Sequence, residues 1–307
     1  MKGVILVENS FVHPYMPNSV PENKKAMLDE LGINSVEDIY KSIIPDELLY
    51  KERLDIPEPI RSEYELKRHV MGILNRDITT EEYTSFLGAG CYKHQVPAIC
   101  DEINSRGEFL TAYCGDTYSD HGKMQAIFEY TSMMGELLDT DVVSYTTYDG
   151  GQAVASSLRM AVRAVREKGM AGKVILVPKT MNPEIYSQVV QYCRNVAEVR
   201  KIAYEPETGL MDLEELKEQL AKKNVAAVFF ENPTYLGNFE TRGEEIAKLA
   251  HDAGAYCVVQ TEVAALGIME SPVNQGADIV CGDIQPLGMH IQFGGGQAGF
   301  IACNQNM

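Results

Sequence analysis

The sequence predicts an α/β fold with a mostly parallel sheet, preceded by a helical N-terminal arm. Two observations carry this prediction: helical and β-rich segments alternate from about residue 123 onward, and the run 225–230 is apolar throughout. Strands that alternate with helices form βαβ units, and a continuously apolar strand is typical of a sheet covered on both faces. The length of 307 residues allows such a domain together with a smaller appendage.

Residues 1–80 are expected to form the arm, and residues 81–307 the large domain. The first segment carries six prolines and many charges, and it shows no series of strands. Short helices are predicted there at about 22–31, 35–42 and 62–75, each flanked by helix breakers. Such an arm either wraps a neighbouring subunit or caps its own chain, and the sequence leaves both interpretations open.

The large domain is expected to begin with two helices, because apolar residues recur at helical spacing within 124–138 and 154–165. Further helices are predicted at 212–223, with Asp212 as the N-cap, and at 242–253. The β-rich runs that these helices separate are 174–177, 199–204, 225–230, 255–259, 279–281 and 300–302.

Composition excludes several classes of protein. The chain has 27 basic and 44 acidic residues, whereas proteins that bind nucleic acid depend on Lys and Arg to neutralise phosphates. No apolar run approaches the length needed to span a bilayer, and the first residues do not form a signal-peptide pattern. The seven cysteines include no CxxC pair, so neither a disulfide framework nor a metal site is predicted. The chain is expected to be cytoplasmic, away from membranes and nucleic acid.

Polar residues follow the predicted strands, where ligands of parallel sheets bind. The run 225–230 leads into Glu-Asn-Pro, 255–259 into Gln-Thr-Glu, and 279–281 into Gly-Asp-Ile-Gln. This order resembles the large domain of fold type I pyridoxal-phosphate enzymes. In that family an Asn-Pro follows one strand, an acidic residue after the next pairs with the pyridine nitrogen, and a lysine after a third forms the Schiff base.

The resemblance includes one departure with a chemical consequence. Glu262 is the candidate for the acidic position, but Gln285 stands in the loop where the lysine is expected, and no lysine follows Lys248 in the sequence. An amide cannot form a Schiff base, so the resemblance implies that this chain does not hold the coenzyme covalently.

Two glycine-rich segments are candidates for contacts to a cofactor phosphate, since glycine turns before a helix N-terminus suit an anion. Their candidate residues are Gly88, Gly90, Gly150 and Gly151. The same glycines could serve turn geometry alone. Asp149, which precedes the second pair, is better suited to capping the helix.

Taken in order, the segments resemble subunit 1 of the decarboxylating glycine dehydrogenases, the P-protein family of the glycine cleavage system. Examples are Phe-Leu-Gly-Ala-Gly at 86–90 and Gln-Pro-Leu-Gly at 285–288. The other matching segments are 13–18, 108–113, 125–130, 148–150, 177–180 and 293–295.

The family resemblance implies a division of labour. A homologous β subunit would hold pyridoxal phosphate covalently, and this chain would complete the pocket in an α2β2 heterotetramer. Glycine would be decarboxylated as its aldimine with the coenzyme, and the aminomethyl group would pass to the lipoyl group of H-protein. The resemblance gives no catalytic residue on this chain. The candidates for the substrate side of the pocket are Tyr113, His121, Asn182, Asn232, Glu262, Gln285 and His290.

Some segments differ from the family pattern: the loop 114–122, the Asn-Pro at 182–183 and the segment 296–299. Family members also continue into a small C-terminal domain, which is expected to be absent here. Two alternatives therefore stay open. One is a non-catalytic or regulatory paralogue, or a fragment, of that subunit; the other is a subunit of a pyridoxal-phosphate lyase for another small amino acid.

Overall fold

The computed structural model describes residues 12, 15–50, 52, 54–86, 92–107, 122–170, 172–291, 294–305 and 307. The chain forms two compact units, Met1–Asp77 and Ile78–Met307. The division into an arm of residues 1–80 and a large domain of residues 81–307 stays a prediction.

The first unit contains the three predicted helices, which are confirmed as α1 (Pro21–Leu31), α2 (Glu37–Lys41) and α3 (Glu63–Leu74). Their ends follow local signals. Proline opens α1, Gly32 ends it with a left-handed φ of 68°, and the Ser62 side chain caps α3 by accepting from the backbone N–H of Glu65. None of the three helices contains a buried residue. Capping and propensity, not burial, therefore define them.

The second unit alternates helices and strands. The helices are α4 (Ala98–Asn104), α5 (Gly122–Leu138), α6 (Gly150–Glu167), α7 (Pro183–Cys193), α8 (Leu213–Leu220) and α9 (Gly243–Asp252). The strands are β1 (Val142–Val143), β2 (Val174–Pro178), β3 (Glu198–Ile202), β4 (Val225–Asn232), β5 (Tyr256–Thr261), β6 (Ile279–Asp283) and β7 (Gly299–Cys303). The six predicted β-rich runs are thus confirmed. Strand β1 was not predicted, because two residues are too short for a periodic pattern.

The strands form one sheet in the order β1-β7-β6-β5-β4-β2-β3. Strands β2 to β6 pair in parallel with one another. Strand β7 is antiparallel to both β6 and β1. The prediction of a mostly parallel sheet is therefore confirmed, and the carboxyl ends of β4, β5 and β6 lie side by side.

Two hydrophobic cores cover the two faces of this sheet. In β4, Val228 and Phe230 belong to one core and Ala227 and Phe229 to the other, as expected when successive side chains point to opposite faces. Helices α5, α8 and α9 contribute to the first core, and α6 and α7 to the second. All eight residues of β4 are buried, which confirms that the strand is covered on both sides.

Candidate ligand pocket at the strand ends

A cavity of about 430 Å³ lies at the carboxyl ends of β4, β5 and β6. The N-termini of α6 and α7 complete its wall. We call it the strand-end pocket; the residues that define it here are Asp149, Gly150, Asn182, Glu231, Glu262 and Asp283. Its position is the one at which open α/β sheets bind ligands.

The pocket is acidic. Five carboxyl groups line it, and none of its described lining residues is Lys, Arg or His. They belong to Asp149, Glu184, Glu231, Glu262 and Asp283. Such a lining attracts cations and repels anions.

Glu231 is the most buried of these acids, with 5% of its surface exposed. Both of its carboxyl oxygens lie 3.2 Å from the backbone nitrogen of Asn182. Burial raises the pKa of Glu231 to about 7, although the backbone N–H groups of Asn182 and Tyr235 act in the opposite direction. The carboxyl group thus changes its charge near neutral pH. We did not predict this residue; its signal is an acid placed directly after a fully apolar strand.

Asp283 joins the end of β6 to the start of α6. Its Oδ2 atom accepts from the N–H of Gly150 at 3.0 Å, and its Oδ1 atom accepts from the N–H of Gln285 at 2.8 Å. Burial raises the pKa of Asp283, and the nearby negative charge of Asp149 acts in the same direction. Asp283 was also not among the predicted site residues, because its contact with Gly150 spans 133 positions of the sequence.

Glu262 lies between these two acids, at the end of β5. Its side chain accepts from the N–H of Ala264 at 3.3 Å and so caps the 3-10 turn Val263–Gly267. Burial raises the pKa of Glu262, and the charge of Asp283 adds to the effect. The three carboxyl groups at the strand ends therefore all bind protons more tightly than they would in water.

The start of α6 is held by the acids themselves. Asp149 is its N-cap, as predicted, and accepts from the N–H of Gln152 at 2.6 Å. A Cβ atom on Gly151 would lie 2.6 Å from the side-chain oxygen of Gln188. A larger residue at position 151 would therefore require the Gln188 side chain to move.

Four of the predicted site residues line the pocket: Asn182, Glu262, Gly150 and Gly151. Asn182 also caps α7, because its side chain accepts from the N–H of Glu184 at 2.9 Å. Four other candidates, Tyr113, His121, Gly88 and Gly90, lie outside the described residues.

The remaining three candidates make structural contacts and are not part of the pocket lining. Asn232 bonds with the backbone of Glu240, donating to its carbonyl oxygen and accepting from its N–H. Gln285 is buried and donates to the carbonyl oxygens of Gly294 and Gly296, both at 2.8 Å. The Nε2 atom of His290 lies 2.9 Å from a carboxyl oxygen of Asp101.

The described residues offer neither a metal site nor a membrane-spanning helix. No group of three or more His, Cys, Asp or Glu side chains there could hold a metal ion. None of the described helices is both long enough and apolar enough to cross a bilayer.

Comparison with known proteins extends these observations. The profile of the glycine cleavage system P-protein family matches residues 13–307. The chain is 35% identical over 306 residues to the probable glycine dehydrogenase (decarboxylating) subunit 1 of Staphylothermus marinus, covering 96% of this chain and 63% of that protein. It is 38% identical over 295 residues to the corresponding subunit of Pyrococcus horikoshii, covering 95% and 63%. This chain therefore spans less than two thirds of the length of these relatives.

Comparison with solved structures points to the same family as the sequence relatives. The crystal structure of a glycine decarboxylase (P-protein) of the glycine cleavage system, in inhibitor-bound form, superimposes with a TM-score of 0.79 and 31% sequence identity. The match covers 96% of this chain and 63% of the solved chain. It confirms the predicted fold class and the resemblance noted in the sequence.

Proposed function

This chain belongs to the glycine cleavage system P-protein family, and from that membership we propose that it is one subunit of a glycine decarboxylase. Glycine loses its carboxyl group as CO2, and the remaining aminomethyl group passes to the lipoyl group of H-protein. Pyridoxal phosphate, when bound, supplies the electron sink for loss of CO2. We place the coenzyme on a homologous partner subunit and propose an α2β2 heterotetramer.

The observation that carries this division of labour is the environment of Gln285. The residue follows β6, where a coenzyme-bearing relative of this fold would carry its lysine. Its side-chain nitrogen is committed to two backbone carbonyl oxygens, and an amide does not form a Schiff base. This favours a partner as the holder of the coenzyme.

The strand-end pocket does not fit pyridoxal phosphate either. A phosphate group would need free backbone N–H donors at the start of α6, and the N–H of Gly150 is already donated to Asp283. The five carboxyl groups of the lining would also repel a phosphate dianion. The chemistry of the coenzyme is therefore proposed to take place at the partner subunit and not in this pocket.

We assign this chain a positioning role and no catalytic residue. Tyr113 and His121 are proposed to approach the coenzyme of the partner, where they would orient substrate and exclude water. Asn182 and Glu262 remain candidates on the substrate side. We also propose a cytoplasmic location for the chain.

The test is exchange of labelled bicarbonate into glycine. The chain is used as bait to isolate its complex from the native cell, and lipoylated H-protein is added. We expect label to enter the carboxyl carbon of glycine, with exchange that depends on both the complex and H-protein. A complex that contains the coenzyme but gives no exchange would indicate another small amino acid as substrate. Failure to isolate any coenzyme-bearing partner would favour a non-catalytic paralogue or fragment.

The location of the coenzyme has its own measurement. Borohydride reduction of the complex fixes pyridoxal phosphate to its lysine, and peptide mapping identifies the labelled chain. We expect the label only on the partner. A labelled peptide from this chain, for example around Lys179, would contradict the division of labour while leaving the exchange result unaffected.

A further inference from the structure

The first turn of α6 has the form of an anion site that is already filled from within. Helix α6 is 18 residues long and opens with Gly150-Gly151. Exposed N–H groups at such a helix start attract phosphates and carboxylates. Here the Gly150 N–H donates to the carboxylate of Asp283 at 3.0 Å.

The close approach of Asp283 depends on glycine. A Cβ atom at position 150 would lie 3.1 Å from the Cβ atom of Asp283 and 3.3 Å from its backbone nitrogen. These distances are tighter than ordinary van der Waals contact, so a larger residue would push β6 and α6 apart. In other proteins a glycine at this place leaves room for a phosphate group. Here it leaves room for the side chain of Asp283.

Asp283 is also fixed on its other side. Its Oδ1 atom accepts from the N–H of Gln285, which begins the 3-10 turn Gln285–Leu287. The carboxylate is thus held between two backbone donors that belong to different elements. A second acid, Asp149, accepts a hydrogen bond from the N–H of Gln152 in the same first turn of α6.

We propose that Asp283 occupies the anion position at the start of α6 and thereby excludes phosphate groups from the strand-end pocket. Asp283 is then a specificity-determining residue, and it keeps a phosphorylated coenzyme out of this subunit. The proposal rests on the proposed function only for the identity of that coenzyme. Exclusion of phosphate itself is a property of this chain alone.

The experiment measures binding of inorganic phosphate to the full chain by isothermal titration calorimetry near pH 8. Three variants are compared with the wild type. Asp283→Ala removes the charge and frees the Gly150 N–H; Asp283→Asn removes the charge but keeps an acceptor oxygen in place. Glu184→Gln removes one acid of the pocket lining away from the start of α6 and serves as the matched charge control.

We expect Asp283→Ala to bind phosphate at least about tenfold more tightly than the wild type, a change of about 1.4 kcal/mol. The Asp283→Asn variant should gain less phosphate affinity, because its side-chain oxygen still accepts from the Gly150 N–H. The Glu184→Gln variant should bind phosphate as weakly as the wild type. Pyridoxal phosphate, followed by its absorbance, should show the same order. Equal gains in Asp283→Ala and Glu184→Gln would overturn the proposal, since they would mean that only the overall charge matters. Equal affinity of wild type and Asp283→Ala would overturn it as well.

A measurement on the wild type covers the case in which Asp283→Ala does not fold. With selective 15N-glycine labelling, the Gly150 amide signal should shift as Asp283 titrates and should stay unmoved when phosphate is added near pH 8. A Gly150 signal that moves with added phosphate would overturn the proposal. The exchange activity of the assembled complex is a separate readout, so failure here leaves the proposed function standing, and the reverse also holds.

Discussion

Two buried glutamates flank the loop 233–239, and their surroundings differ. Glu231 and Glu240 are 5% and 4% exposed. Glu240 accepts from the side chain of Arg242 at 3.2 Å and from the N–H of Met211 at 2.9 Å. Glu231 accepts from backbone N–H groups, and no basic residue is among the described residues that line its pocket.

The difference separates a structural acid from a candidate functional one. A buried carboxylate that has a cation beside it can stay charged, and it then fixes the chain around it. Glu240 has such a cation in Arg242, and its backbone bonds with the Asn232 side chain hold the far end of the loop. A buried carboxylate without a cation keeps its proton to higher pH instead. Glu231 is of this second kind, and it faces the pocket, where shifted carboxyl groups are most often functional.

The largest loss of stability is expected when the ion pair between Glu240 and Arg242 is broken. Arg242→Met leaves Glu240 buried without its cation, and it also removes the contacts of Arg242 to Glu205 and to the carbonyl of Met211. Removing one partner of a buried pair typically costs 3–5 kcal/mol, so we expect a loss of about 3 kcal/mol or more. Urea unfolding followed by far-UV circular dichroism measures it.

The control for this variant is Arg163→Met. Arg163 pairs with Glu167 on the outer face of α6, and the two side chains are 82% and 65% exposed. An exposed ion pair contributes little to stability because solvent screens it, so the urea midpoint should hardly move. If both arginine variants lose the same small amount of unfolding free energy, burial of Glu240 does not depend on Arg242. The contrast with Glu231 would then be wrong.

The second prediction concerns the unpaired acid, Glu231→Gln. The pKa of Glu231 rises from an ordinary 4.5 to about 7 in the folded chain, so the folded state binds the proton more tightly than the unfolded state. The resulting stabilisation is complete below about pH 4.5 and is lost as pH rises through about 7. Above that pH the buried charge costs about 3 kcal/mol. Glutamine removes this cost, so the variant should be more stable than the wild type at pH 8 by about 1–3 kcal/mol.

Unfolding of Glu231→Gln and wild type is measured at pH 5 and at pH 8. The stability gain of the Glu231→Gln variant over the wild type should be larger at pH 8 than at pH 5. Glu240→Gln is the matched control, and it should destabilise the chain at both pH values because it weakens the contacts with Arg242 and with the N–H of Met211. A Glu231→Gln variant with the same relative stability at both pH values would show that Glu231 stays ionised throughout.

Sequence patterns predicted strands β2 to β7 and helices α5, α6, α8 and α9 because each of these elements has a local signal, whereas β1, α4 and α7 were not predicted. Apolar runs marked β2 to β7, and Asp149 and Asp212 marked helix starts that the structure confirms. The residues of the pocket were harder to find. Glu231 and Asn232 are adjacent at the end of β4, but successive strand residues point to opposite sides. The sequence highlighted Asn232, which turns toward Glu240, and passed over the neighbour that lines the pocket.

Asp283 was missed for a different reason. Its partner Gly150 is distant in the sequence, and the contact exists only because β6 and the start of α6 meet at one edge of the sheet. No local pattern reports such a pair. In contrast, Gln285 was noticed because it departs from a family pattern, and the structure gives it a packing role with the carbonyl oxygens of Gly294 and Gly296.

The smallest effect is expected at Asp149, an acid whose partner is a helix N-terminus and not a cation. Asp149→Ala removes the cap of α6 and should cost about 1 kcal/mol. Asp212→Ala is the matched control, because Asp212 caps α8 through the N–H groups of Glu214 and Glu215 and is not among the described lining residues of the pocket. Urea midpoints of the two variants should fall by similar amounts. If Asp149→Ala costs nothing while Asp212→Ala costs the expected amount, the first turn of α6 has found another acceptor. Asp283 already bonds the neighbouring N–H of Gly150, so this outcome would show that one internal carboxylate suffices to satisfy the start of α6.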